Sequence, residues 1–275
     1  MKTAFVSDSV LGLSPAEAQE QGIHMVMAQV IEEGKSYRDY LDIAPEQIVQ
    51  WLLSGKKLTT SHANLADFQA LYETLLKTHD RVLSVHVSSK LSGFVSAARL
   101  AAQSFGGRVL VLDSLSGNAG TGYVLEEARR KLAEGVSWER LEEAVAPFLA
   151  RVKGLVLPKT LEYIRRSGRI SGLQFFVGDL LKVLPILELQ EGQLKPVERV
   201  RGFYSGLKQL ARRFQKAFPA GARVTLAHAD NLPALEQLIA LIRSEGVVLE
   251  GRRPIGAGVT VHAGPGAVGL FAAPR

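Results

Sequence analysis

Apolar and polar positions come in blocks along the first half of the chain, reading alternately as strands and helices. Thr3-Ala4-Phe5-Val6 is a short apolar run that ends in Ser7-Asp8-Ser9. Ser14-Pro15-Ala16-Glu17 then offers a capping serine, a proline at the first helical position and a glutamate three residues on, a helix start that Gly22 closes. Ile23 to Ile31 reads as one strand, with Glu32-Glu33-Gly34-Lys35 as its turn. Pro45 to Leu53 and Leu65 to Leu76 predict helices, the second with Leu65, Phe68, Leu71 and Leu75 on one face. A strand over Arg81 to Val87, a helix over Ser92 to Phe105 and a strand over Arg108 to Leu112 follow. Helices over Gly122 to Ala133 and Ser137 to Val152 complete this half. Strands separated by helices of this length imply crossover connections and a parallel sheet.

The pattern changes near residue 150. Lys182 to Leu189, a Gln-Glu-Gly-Gln turn and Leu194 to Val200 predict an antiparallel hairpin. Next come a helix over Phe203 to Phe218, a strand over Arg223 to His228 and a helix over Leu232 to Glu245. Val247 to Glu250, Val259 to His262 and Val268 to Ala272 read as closing strands. The expected fold is therefore α/β. An N-terminal domain (residues 1–150) has a mostly parallel sheet flanked by helices, and a C-terminal α+β domain (residues 151–275) has a mixed or antiparallel sheet.

Composition removes several function classes. The 275 residues are 47% hydrophobic and 22% charged and include no cysteine. This is globular composition without disulfides, thiolate nucleophiles or Cys-ligated metal. No apolar run approaches the ~18 residues of a membrane span, and the N-terminus lacks the long apolar region of a signal peptide. A soluble cytoplasmic protein is expected. The net charge of +6 is unevenly placed, since residues 151–216 hold 14 Lys and Arg against 5 Asp and Glu. That segment is either a solvated basic surface or a docking face for a negatively charged partner. Nucleic acid is not expected, because no aromatics interleave with the basic residues.

Familiar catalytic motifs fail on context. Gly264 to Gly269 matches G-x-G-x-x-G, but no helix follows to receive a pyrophosphate. No P-loop, H-E-x-x-H or G-x-S-x-G is present, and Ser205 to Lys208 fits S-x-x-K without its companion motifs. The six histidines lack metal-ligand spacing. His86 and His228 fall in strand patterns as hydrogen-bonded core or rim residues, while His262 abuts a Gly-Pro-Gly turn. Four hydroxyl clusters remain: Ser7-Asp8-Ser9, Thr59-Thr60-Ser61, Ser88-Ser89-Lys90-Leu91-Ser92-Gly93 and Asp113-Ser114-Leu115-Ser116-Gly117. Three follow apolar strands, where open parallel sheets bind ligands. Each could equally be a helix cap. An enzyme reading would use Ser92 or Ser114 as nucleophile with His262 as base, although no acidic partner for His262 can be picked out.

These clusters, in order, resemble the DegV family of bacterial fatty-acid-binding proteins, which includes the lipid-carrying subunits of fatty acid kinase. The likeness also takes in Gly34-Lys35-Ser36-Tyr37-Arg38-Asp39, Thr160-Leu161-Glu162-Tyr163, Gly168-Arg169-Ile170-Ser171, Pro185-Ile186-Leu187, Val200-Arg201-Gly202 and His262-Ala263-Gly264-Pro265-Gly266. It departs at Val10, at His62-Ala63 and at Phe94-Val95, where the family usually has Thr, Gln-Pro and Thr-Tyr. The resemblance implies a long-chain fatty acid, such as palmitate, stearate or oleate, buried between the two domains as a ligand, with no cofactor or metal. Its carboxylate would be held by Ser92 and Thr60, with Thr59, Ser61, Gly93 and His262 around them. Catalysis would belong to a partner kinase that makes acyl-phosphate for phospholipid synthesis, docked on Arg169 and Arg201. Neutral hydroxyls rather than an arginine clamp would then serve the head group. Phe94, Phe175, Phe176 and Leu184 are candidates for the tunnel wall and equally for plain core.

Overall fold

The computed structural model describes residues 1–61, 63–170, 172 and 183–275. Four strands, β1 (Thr3–Asp8), β2 (Ile23–Val26), β6 (Arg81–His86) and β7 (Val109–Asp113), form a parallel sheet in the order β2-β1-β6-β7. Crossover helices connect them. α1 (Pro15–Glu20) leads from β1 to β2, and α4 (Phe94–Ala102) leads from β6 to β7. The α1 start is as the sequence predicts: the Glu17 N–H donates to Ser14 Oγ at 3.3 Å, and the Ser14 N–H donates to the Glu17 carboxylate at 2.8 Å.

The run Ile23 to Ile31 is not one strand. β2 ends at Val26, and β3 (Gln29–Glu32) joins a separate antiparallel sheet, β4-β3-β5, with β4 (Lys35–Arg38) and β5 (Leu58–Thr60). The break has a local cause. The Ala28 N–H donates to the Ser9 hydroxyl at 3.0 Å instead of to a strand. Helices α2 (Pro45–Leu53) and α3 (Leu65–Leu75) flank β5 in the chain, and α5 (Ala119–Ala133) and α6 (Leu141–Leu149) follow β7.

From residue 153 the chain builds a six-stranded mixed sheet, ordered β10-β9-β8-β13-β11-β12. Its strands are β8 (Lys153–Leu157), β9 (Val183–Gln190), β10 (Gln193–Arg201), β11 (Arg223–His228), β12 (Val248–Pro254) and β13 (Val268–Ala273). Only the β11–β12 pairing is parallel. The β9–β10 hairpin turns on Glu191 and Gly192, both at positive φ, which favours a tight two-residue turn. α7 (Glu162–Ser167), α8 (Phe203–Ala217), α9 (Leu232–Ile242) and α10 (Ala257–Ala263) complete the described elements. One apolar core is shared: Leu83, Val85 and Leu112 of the parallel sheet belong to the same buried cluster as Leu189, Ala227 and Phe271 of the mixed sheet.

One further expectation needs correction, and one strand was missed. The predicted strand over Val259 to His262 is helical, as part of α10. Four residues, two of them apolar, cannot distinguish the two periods, and the helix start is set by contacts from far along the chain. β8, a central strand of the mixed sheet, had no sequence signal of its own, being five residues with a glycine inside. Among the described residues, no helix is long and apolar enough to cross a membrane.

Candidate functional site

The carboxyl ends of β1, β6 and β7 point toward the mixed sheet, and a cavity of about 200 Å³ lies between the two. Its far wall is hydrocarbon from the mixed sheet, including Val156, Leu187, Leu189, Leu194 and Phe271. Its near wall collects the polar groups: Thr60 and Ser61 from the end of β5, Ser92 and Gly93 at the start of α4, Asn118 before α5, Arg169 after α7 and His262 from α10. The site is thus apolar on one side and lined with hydrogen-bonding groups on the other.

A hydrogen-bond chain orders the polar end. Thr60 Oγ1 lies 3.0 Å from His262 Nε2, and Arg169 Nη1 lies 3.3 Å from His262 Nδ1. A guanidinium can only donate, so Nδ1 accepts and the ring is neutral with its proton on Nε2. That N–H donates to Thr60 Oγ1, which leaves the Thr60 hydroxyl proton free to donate elsewhere. Burial, with Arg169 adding to it, pushes the His262 pKa down to about 4, in keeping with a neutral ring. Arg169 is itself held, its Nε donating to Leu91 O at 2.9 Å and Nη1 to Ser167 O at 3.1 Å. Burial lowers its pKa. Gly93 precedes the first turn of α4, so backbone N–H groups and the positive end of that helix meet the cavity beside Ser92.

The sequence-predicted residues divide accordingly. Thr60, Ser61, Ser92, Gly93 and His262 share the cavity wall, whereas Thr59, one step along β5, is exposed. Arg169 and Arg201 part company. Arg169 stands in the cavity wall, and Arg201 is exposed at the end of β10. A guanidinium therefore stands at the polar end of the cavity beside the neutral hydroxyls, bonded to His262. Phe94 lines the cavity, but Leu184 is packed in the core of the mixed sheet, and Phe175 and Phe176 lie outside the described residues, as does His62. Several wall residues had escaped sequence reasoning. Asn118 carried a cap-like signal before α5, while Leu189 and Phe271 carried none beyond their apolarity.

Other hydroxyls of the four clusters serve the fold. Ser7 donates to Val85 O at 2.7 Å, Ser88 to Gly192 O at 2.7 Å, and Ser114 pairs with Thr121 at 3.1 Å. Ser114 is buried at 1% exposure and does not line the cavity, so it is not brought to His262. Ser92 shares the cavity with His262, but both ring nitrogens of His262 are engaged, which leaves no lone pair to act as its base. A Ser–His–Asp order does occur at His86, with Nε2 2.6 Å from Ser84 Oγ and Nδ1 2.9 Å from Asp8 Oδ2. All three side chains are at 0% exposure, and Phe94 stacks on the His86 ring, so no substrate reaches them. Among the described residues, no group of three or more His, Asp or Glu is arranged to hold a metal.

An α/β protein of two domains, with an apolar cavity between its two larger sheets and hydroxyls at one end, is the class these features define. The chain belongs to the DegV family, whose model matches residues 2–275. A DegV domain-containing protein of Deinococcus radiodurans is 34% identical over 281 residues, covering 100% of this chain and 99% of that one. Among solved structures, a DegV family protein from Thermus thermophilus described as fatty-acid binding is similar over the full length of both chains, with 32% identity and a TM-score of 0.91. DegV from Bacillus subtilis, described as a fatty acid binding protein, also matches over 100% of both chains, at 26% identity and a TM-score of 0.87.

Proposed function

We propose that this chain binds a long-chain fatty acid, its tail in the apolar part of the cavity and its carboxylate at Thr60, Ser92 and the start of α4. The observation that carries this reading is the His262–Thr60 hydrogen bond at the polar end of a hydrocarbon-walled cavity. It aims a hydroxyl proton where an anion would lie. The likeness to the Thermus thermophilus and Bacillus subtilis proteins supports it. A buried carboxylate is costly unless its oxygens accept hydrogen bonds, and hydroxyls plus helix N–H groups supply them. The tail supplies the affinity. At ~0.8 kcal/mol per buried CH₂, fourteen methylenes contribute roughly 11 kcal/mol before ordering costs.

In the finer form of the proposal, the chain catalyses nothing and presents the carboxylate to a partner kinase, which makes acyl-phosphate for phospholipid synthesis. Arg201 lies in the basic segment that would meet it. Native mass spectrometry of protein from a bacterial host, followed by solvent extraction, tests the first half. A stoichiometric fatty acid is expected, and Ser92→Ala should weaken its retention by about tenfold, the worth of one hydrogen bond to a charged group. Protein that carries no lipid and fails to take up added oleate or palmitate overturns the reading.

A further inference from the structure

Asp39 follows β4 and is fully buried. Its Oδ1 accepts from the Ala257 N–H at 2.9 Å, and its Oδ2 accepts from the Ser9 hydroxyl at 3.1 Å and, more weakly, from the Gly258 N–H at 3.4 Å. The Asp39 N–H donates to Ala28 O at 2.8 Å, and the Ala28 N–H donates back to Ser9 Oγ at 3.0 Å. The carboxylate thus ties the residue after β1 to the first turn of α10, and the Asp39 backbone N–H and the Ser9 hydroxyl tie both to the chain entering β3.

Those attachments lead to the two partners of the head-group hydrogen bond. β3 pairs with β5 so that Val30 lies opposite Thr60, and α10 carries His262 five residues beyond Ala257. A helix of seven residues does not hold itself together in isolation, and its first N–H groups have no partner within it. Asp39 provides that partner from 218 residues away in sequence. The packing leaves no slack. A Cβ on Gly256 would sit 3.0 Å from Asp39 Oδ2, and one on Gly258 would sit 3.0 Å from the Ala28 Cβ.

We infer that Asp39 is the positioning residue of the head-group end: its carboxylate sets the placement of α10 against the β3–β5 sheet and so holds His262 on Thr60. It touches no ligand and acts through His262. The affinity readout rests on the fatty-acid reading; the state of the His262 ring does not.

Ring ¹⁵N–¹H correlation spectra of the full chain, with the His262 signals assigned through His262→Gln, test the inference beside oleate titration. The unaltered chain should show His262 with its proton on Nε2. Asp39→Asn keeps the shape but puts an amide where two acceptor oxygens stood. It should move the His262 ring signals toward mixed tautomers and weaken oleate binding about tenfold. Ser9→Ala, which removes one anchor of the carboxylate, should give the same shifts at smaller size and stands in if Asp39→Asn does not fold. Ring signals unchanged in a folded variant overturn the inference, even where melting falls, because the role is then structural only. Ring signals that respond in a chain that never binds oleate support the positioning role and sink the fatty-acid reading instead.

Discussion

His86 and His262 are both hydrogen-bonded at both ring nitrogens, yet they belong to different kinds of site. His86 lies at 0% exposure, between Asp8 and Ser84, and Ser84 also accepts from the Tyr72 hydroxyl at 2.7 Å. Every group in that chain finds its partner inside the protein. His262 sits between Arg169 and Thr60, and the last group of its chain is a hydroxyl whose proton has somewhere outside the chain to go. A polar network that closes on itself serves the fold. One that ends at a cavity wall with a donor unassigned is open to a ligand.

The largest expected effect comes from opening the closed network. Asp8→Ala leaves the N–H groups of Val10 and Val87 and the ring of His86 without their acceptor. Each buried orphan costs about 1–3 kcal/mol, so roughly 3 kcal/mol or more of stability should go. At roughly 2–4 °C per kcal/mol for a chain of this size, thermal melting should fall by roughly 6 °C or more. A variant that melts unchanged but loses lipid would mean that the two networks are not distinct in kind.

His262 should show the opposite pattern. His262→Ala is expected to lower fatty-acid affinity by tenfold or more, through the misdirected Thr60 hydroxyl, with a smaller change in melting than Asp8→Ala. Its pH signature has a definite sign. The ring pKa falls from the ordinary 6.5 to about 4 on folding, so between those values the unfolded chain binds more protons and stability drops as pH falls. Asp39 works against it. Burial raises its carboxyl from 3.8 to about 6, so between those values the folded chain holds the proton and stability drops as pH rises. Between pH 4 and 6 these two slopes nearly cancel in the unaltered chain, so denaturant unfolding of His262→Ala should show stability falling as pH rises through that range; an unaltered pH profile would mean the ring is not held neutral.

How far the sequence reveals such a distinction depends on how local its causes are. The α1 capping box, the β9–β10 hairpin and β11 are specified by neighbouring residues, and all three were legible. The hydroxyls Thr60 and Ser92 were legible through family likeness, since Ser7, Ser88 and Ser114 look the same in sequence and turn out to bond backbone or a neighbouring hydroxyl. The helix that carries His262 was not legible, because its start depends on Asp39 from a distant loop. Arg169 was read as a partner-docking residue through the family likeness, with which the net charge of its segment agreed. Charge counts say nothing about which way a side chain turns, and its Nε found Leu91 O, 78 residues away.

The smallest expected effect separates the two arginines. Both were expected on a docking face, yet Arg169 reaches His262 while Arg201 is exposed at the end of β10. Arg201→Ala should leave stability within about 0.5 kcal/mol, as surface substitutions away from special features do, and should leave fatty-acid retention unchanged. Arg169→Ala removes the donor that fixes the His262 tautomer, so retention should fall toward the His262→Ala level. Under the kinase reading, Arg201→Ala would still lower acyl-phosphate formation when the partner is supplied, whereas Arg169→Ala would fail at the earlier step of holding the lipid. Equal lipid loss in both variants would place Arg201 within reach of the cavity and collapse the division between a ligand-facing and a partner-facing arginine.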